Sequence, residues 1–395
     1  MTGSGGDGAG DVVGGGSASR ARSVDDALAD LDPAYFGLVM STGIVSVAFR
    51  DLGVAAVAWP LAVFNVVCYA LLVGLFAVRL GRYPGRFVAD LRDRQRHWGT
   101  LTFVVATNTV GVQFVSFLDA TGVATVLWLA TVVVTPVLLY YLFLTEFVGE
   151  LKAAVSERID GAFLLVVVCM QSLAVLGAAL SDSMGGYADP VVLVSVSYFG
   201  AGFVLYGVVV TVVTYRLLDG ALRPADWTGP YWITMGAAAI TTLAGATLGP
   251  RLQAIPAWEP YAPVVVGVTF LAWAVATWWI PLLLAVDVWK FTTGGIEGGA
   301  PLWVVAVPWA RLGFGRRHHD YAPTAWGRVF PMGMYTACTL NLAGVGTFGL
   351  LAVVPAYWGW FALFVWALTL VGSARAVAGV LSRTRRSEAE APGSA

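Results

Sequence analysis

Apolar runs of about twenty residues recur along the whole chain, near 33–50, 54–79, 98–117, 122–146, 160–181, 190–216, 228–250, 261–289, 324–353 and 356–381, and short polar segments separate them. A helix of that length crosses ~30 Å of hydrocarbon. The pattern therefore predicts an all-α polytopic membrane protein with ten transmembrane helices, paired as five helical hairpins. A second pattern lies inside the first. The odd-numbered runs hold the small and polar residues: Thr42 and Gly43; Thr107, Asn108 and Gly111; Gln171; Thr234, Thr241 and Gly245; Met334, Ala337 and Asn341. The even-numbered runs are bulky, as in Thr277-Trp278-Trp279-Ile280 and the stretch from Tyr357 to Trp366, and suit contact with lipid or a neighbouring subunit.

At 100° per residue, Thr100, Thr107, Asn108 and Gly111 share one side of the third helix, Thr234, Thr241 and Gly245 one side of the seventh, and Phe330, Met334, Ala337, Asn341, Gly344 and Phe348 one stripe of the ninth. Small residues and amides on such faces commonly serve close helix packing and interhelical hydrogen bonds, and that is the simpler reading of any one position. The alternation itself favours a central path. Five hairpins whose first members all carry the polar face can set those five helices in quasi-fivefold order around an axis, which makes these residues candidate pore lining.

Composition agrees: of 395 residues 58% are hydrophobic and 12% charged, about half the charge of a soluble domain. Every Lys and Arg except Arg50 and Arg251 falls in segments that share one side of a ten-span arrangement, which predicts a plasma-membrane protein with both termini cytoplasmic. Residues 1–30, rich in Gly, Ser, Ala and Asp, read as a disordered cytoplasmic tail, with a short surface helix from Val24 to Leu31 as the alternative for its end. Residues 31–382 form the transport domain and 383–395 a C-terminal cytoplasmic tail. The loop from Lys290 to Pro323 is expected to have no separate fold, with Trp303 and Trp309 at the membrane interface.

Candidate chemistry narrows the function. Glu146, Asp287 and Arg328 lie near the cytoplasmic ends of their spans, and no acidic, Lys or His residue reaches mid-membrane, which weighs against a cation pump. Hydroxyls, amides and helix dipoles with Arg near the mouths are compatible with a weakly held anion. The sequence Gly344-Val345-Gly346-Thr347-Phe348-Gly349 matches a dinucleotide-binding pattern but lacks the strand and acidic residue that motif needs, so close helix packing is expected there. His97, His318 and His319 read as solvated loop residues, and Cys68, Cys169 and Cys338 as packing residues. No enzyme, cofactor, metal or nucleic acid is implied. Pro331 removes one hydrogen bond from the ninth helix and predicts a kink. Phe330 stands at that kink, a candidate gate among small neighbours.

Two segments resemble a known family: Pro33-Ala34-Tyr35-Phe36-Gly37-Leu38-Val39-Met40-Ser41-Thr42-Gly43-Ile44, and Trp326-Gly327-Arg328-Val329-Phe330-Pro331-Met332-Gly333-Met334-Tyr335. They are similar to the starts of the first and ninth helices of the tellurite-resistance/dicarboxylate transporter family, which includes fungal malate permeases, yeast sulfite efflux proteins and plant slow-type anion channels. The resemblance implies a homotrimer with one pore per subunit, five inner and five outer helices, and a phenylalanine that occludes the path, by position Phe330. Ser41 stands where many members have Gly, so packing of the first helix is expected to differ. The expected function is transport of small anions: a C4-dicarboxylate such as malate, sulfite or inorganic anions. A proton-coupled dicarboxylate carrier and a non-conducting membrane scaffold or sensor remain open at this point.

Overall fold

The computed structural model describes residues 24–94, 96–148, 159–219, 222–293, 309–310, 312, 322–345 and 349–390, and these are helices joined by turns. Ten helices are numbered here: α1 Phe36–Asp51, α2 Ala55–Arg82, α3 Thr102–Leu118, α4 Thr121–Val148, α5 Leu165–Leu180, α6 Ala188–Leu218, α7 Ile233–Ala254, α8 Ala262–Thr293, α9 Trp326–Val345 and α10 Val353–Glu390. Eight are long and apolar enough to cross a bilayer. The two outside that set are α1, with 16 residues, and α9, whose 20 residues are diluted by Gly, Thr, Arg328 and Asn341. Both are nevertheless among the most buried helices of the bundle.

The bundle is a ring within a ring. The odd helices pack in chain order, α1 on α3, α3 on α5, α5 on α7 and α7 on α9, and α9 closes on α1. Each even helix packs outside the odd helix before it and leans on the next odd helix, and α10 leans back on α1. Burial follows: in the inner spans containing α5 and α7, 89% and 94% of the apolar window is buried, against 17–33% in the outer spans. Trp59, Val67, Val126, Val137, Trp278 and Tyr357 of the outer helices are exposed, as lipid-facing bulk requires.

Tight turns make the hairpins. Gly53 (φ 77°) turns α1 into α2, and Asp119 (φ 54°) ends α3 in the left-handed conformation that favours Gly, Asn and Asp. Several boundaries differ from expectation. Helix α9 is described as far as Val345, and Gly349–Ala352 is a 3-10 turn where the predicted run still extends to 353, while α10 continues to Glu390 into the predicted C-terminal tail. Val24–Ala29 is helical, within the alternative given for the end of the N-terminal tail. Residues 1–23 and 391–395, Trp303, His318, His319, Gly346 and Phe348 lie outside the described residues. The packing expected at Gly344 is not found: a Cβ there would meet nothing within 4 Å.

Two further corrections concern polar residues. His97 is fully buried, with Nε2 3.5 Å from Glu146 Oε1 and Nδ1 3.1 Å from the Asp93 carbonyl, because the turn into α3 draws it under Trp98. Trp309 turns inward from the loop and donates its indole N–H to Asp287 at 3.1 Å, since a buried carboxylate offers a stronger acceptor than the interface.

Candidate functional site

Each inner helix is entered through a short 3-10 turn: Pro33–Tyr35, His97–Leu101, Gly161–Leu164, Gly229–Trp232 and Pro323–Ala325. The residues explain the turns locally. Pro33, Pro230 and Pro323 occupy first-turn positions where the missing N–H costs nothing. Asp32 and Asp160 cap their turns, accepting from the N–H groups of Ala34 and Ala162 at 2.8 Å each. Burial pushes the Asp160 carboxyl above the usual carboxylate range, and the Ala162 N–H and Arg216 oppose it only in part.

The five turns form a collar at the Arg-rich end of the bundle, and backbones meet where side chains are absent. A Cβ on Gly161 would overlap the Pro230 carbonyl, and one on Gly229 the Thr324 carbonyl. Gly37 faces Trp326 Cβ, and Gly99 faces Ala34. Inside the collar lies a small cavity of about 40 Å³, open on one side, to which all five inner helices contribute. Thr102, Thr324, Arg96 and Asp32 supply polar groups, and Met40 and Ile233 an apolar floor. Arg96 is held at the rim by Asp90 at 2.7 Å and Asp32 at 3.4 Å. Five helix starts turn the positive ends of their dipoles toward one space, an arrangement that favours an anion, and Asp32 and Asp160 cap two of them.

Gly327 lines the cavity, and helical spacing carries that face of α9 to Phe330 and Met334, three and seven residues on. Phe330 is 0% exposed, as are Ala106 and Ala237, which lie four residues beyond the cavity-lining Thr102 and Ile233. At the corresponding turn α9 carries a phenyl ring, while α3 and α7 carry alanine. Pro331 sets its ring on α7, where a Cβ at Gly236 would come within 2.7 Å of Pro331 Cγ, and Gly333 packs on Ile44 and Val45 of α1. Ser41, the departure noted in the first segment, donates to the Trp326 carbonyl at 3.0 Å and joins α1 to α9.

The other candidate residues are distributed differently. Asn108 donates to Ser172 at 2.9 Å and accepts from Thr131 at 2.7 Å. Gln171 donates to the Phe199 carbonyl at 3.0 Å. Gly43 admits Thr109 and Asn65, Gly111 admits Leu176, and Gly245 admits Thr269. Thr241 bonds back to Ala237, and Asn341 to the Ala337 carbonyl and to Asp51. Met334 and Ala337 are buried.

Thr42, Thr107 and Thr234 belong to a repeat. In every hairpin an aromatic side chain of the outer helix reaches the following inner helix with its polar tip: Tyr69 to Thr107 Oγ1 (3.0 Å), Trp128 to the Leu173 carbonyl (3.0 Å), Tyr206 to the Thr234 carbonyl (3.1 Å), Trp273 to Thr339 Oγ1 (3.1 Å) and Trp366 to Thr42 Oγ1 (2.9 Å). These five straps fix the hairpins in cyclic order. Arg96, Asp32, Thr102 and Thr324 of the collar were not anticipated; the usable signal was a Pro or Gly within two residues of an aromatic residue at the start of each odd run.

Residues 30–374 match a family model described as voltage-dependent anion channel. An uncharacterized membrane protein of Mycobacterium tuberculosis is 35% identical over 183 residues, 46% of this chain and 82% of the relative. Two uncharacterized transporters of Methanocaldococcus jannaschii are each 20% identical over 87% and 88% of this chain and 93% of their own length.

Proposed function

We propose, from the premise that the chain belongs to the voltage-dependent anion channel family, that the axis of the inner ring is a path for small anions and that Phe330 is its steric gate. The observation that carries this reading is the collar: five helix starts and Arg96 surround one cavity, and one helical turn further along α9 from the cavity-lining Gly327 stands the fully buried Phe330. Anions gather at the collar because dipoles and a guanidinium lower their energy there. They leave again because Phe330, Ala106, Ala237 and Met334, the buried residues further in, carry no fixed charge against them. Selectivity then follows dehydration cost, which places C4-dicarboxylates such as malate, sulfite and inorganic anions within one substrate class. Three such paths in a homotrimer, in the plasma membrane with both termini cytoplasmic, complete the proposal.

Reconstitution tests it. Liposomes containing Phe330→Ala should pass chloride, nitrate or malate faster than wild-type liposomes, and flux no greater than in empty liposomes removes the reading. A proton-coupled carrier is favoured by one observation, the buried His97 facing Glu146 at 3.5 Å. In that case malate flux saturates and follows an imposed pH gradient, and His97→Gln abolishes the coupling.

A further inference from the structure

Asp287 of outer helix α8 is 0% exposed, and its two oxygens receive only N–H donors. Trp227 Nε1 lies 2.7 Å from Oδ1, and Trp232 Nε1 and Trp309 Nε1 lie 2.9 and 3.1 Å from Oδ2. Arg328 Nε lies 3.2 and 3.0 Å from the two oxygens. Three indole N–H groups and one guanidinium thus converge on the two oxygens, and Arg328 and Asp287 form a buried ion pair. Burying that charge is tolerable because one cation and three indoles complete its shell.

The donors come from three places that sequence distance keeps apart. Trp227 and Trp232 bracket the collar turn into α7, Trp309 belongs to the connection between α8 and α9, and Arg328 sits in the first turn of α9. Lys290, one turn beyond Asp287, bonds the Trp227 carbonyl, and the Arg328 guanidinium lies over the Phe291 ring with its central carbon 5.3 Å from the centroid. The same seam is shut from the inside by Gly327 against Gly229 and by Pro331 against Gly236.

We infer that Asp287 is the positioning residue of the gate: by holding Arg328, two residues before Phe330, it fixes the rotation of the first turn of α9 and keeps the phenyl ring turned into the ring of inner helices. Trp309 makes the α8–α9 connection part of that hold, so a partner or modification that withdraws Trp309 loosens the gate. The inference rests on the reading of Phe330 as a gate, but it concerns where position 330 is held, which can be measured without any flux.

The test places a thiol at the gate with Phe330→Cys in a background carrying Cys68→Ala, Cys169→Ala and Cys338→Ala, and follows labelling of the detergent-purified protein by a small maleimide. Labelling should be slow with Asp287 intact and faster on the order of tenfold with Asp287→Asn, because the amide cannot accept from donors on both sides. Trp309→Phe, which removes a single donor, should act in the same direction with smaller size. It carries the test if Asp287→Asn aggregates. A control thiol from Ala337→Cys, two turns along α9, should keep its rate. Unchanged labelling at position 330, or an equal rise at both positions, overturns the inference. Phe330→Ala liposomes that pass no anion would remove the gate reading while leaving the positional result as measured.

Discussion

Trp366, in the last helix, donates its indole N–H to the hydroxyl of Thr42, in the first, across 2.9 Å. It repeats between α10 and α1 what Tyr69, Trp128, Tyr206 and Trp273 do between the other hairpins, so the chain closes on itself by the same bond that joins its internal neighbours. Trp366→Phe keeps an aromatic ring but deletes the donor together with part of the indole. It should cost about 1 kcal/mol, the scale of interhelical hydrogen bonds in membranes, seen as a lower thermal midpoint in detergent. Thr42→Ala should cost about the same, and the double variant little more than either single one, since both remove one bond. Additive losses would show that the two residues do not interact.

Asn108 distinguishes packing from lining. Its amide is engaged by Ser172 and Thr131, so Asn108→Ala should lower stability by roughly 1 kcal/mol and leave the relative permeability of chloride and nitrate unchanged. A shifted reversal potential would place Asn108 on the path.

Two glycines should respond in opposite ways. Gly161 touches the backbone of Pro230 and Tyr231 in the collar, and backbone cannot move aside, so Gly161→Ala should cost about 3 kcal/mol or more and reduce the yield of folded protein. Gly344 faces open space. Gly344→Ala should be neutral or stabilising by up to about 1 kcal/mol through helix propensity. Equal thermal midpoints for the two variants would contradict the collar packing.

Asp160 gives a pH dependence with a defined sign. Its carboxyl is pushed up in the folded protein, so it ionises less readily there than in the unfolded chain. The stability tied to its protonated form is fully present below the unfolded value, about 4, and is lost as pH rises through the higher folded value. Asparagine caps a helix start as well as aspartate does. Asp160→Asn should therefore remove that decline and leave the protein at least as stable at pH 7, as thermal midpoints across pH 4 to 7 would show.

The ring architecture was legible because the bilayer punishes ambiguity. Polar groups in hydrocarbon need partners, so Thr42, Asn108 and Gln171 marked the inner helices, while Trp278 and Tyr357 marked the outer ones. What those polar groups bond was not legible. The stripe on α3 reads as one face at 100° per residue, yet Thr107 turns to Tyr69 of α2 while Asn108, one residue on, turns to Ser172 of α5. An inner helix has neighbours on both flanks, and periodicity does not say which flank a residue serves. Phe330 and Pro331 stood out because a large ring and a proline interrupt a run of small residues. The collar did not, since five turns of three to five residues share a shape and not a spelling. Nor did the shell of Asp287, whose donors at 227, 232, 309 and 328 are gathered by the fold alone.

The return of α10 to α1 also sets an order of events during biosynthesis. Helix α1 is made well before its partners α9 and α10, and the hydroxyls of Ser41 and Thr42 reach the acceptor and donor they hold in the folded protein only after those helices exist. Four inserted hairpins make an open arc with two unmatched edges. The fifth converts the arc into a closed circle, so the fold cannot close before that hairpin is in place.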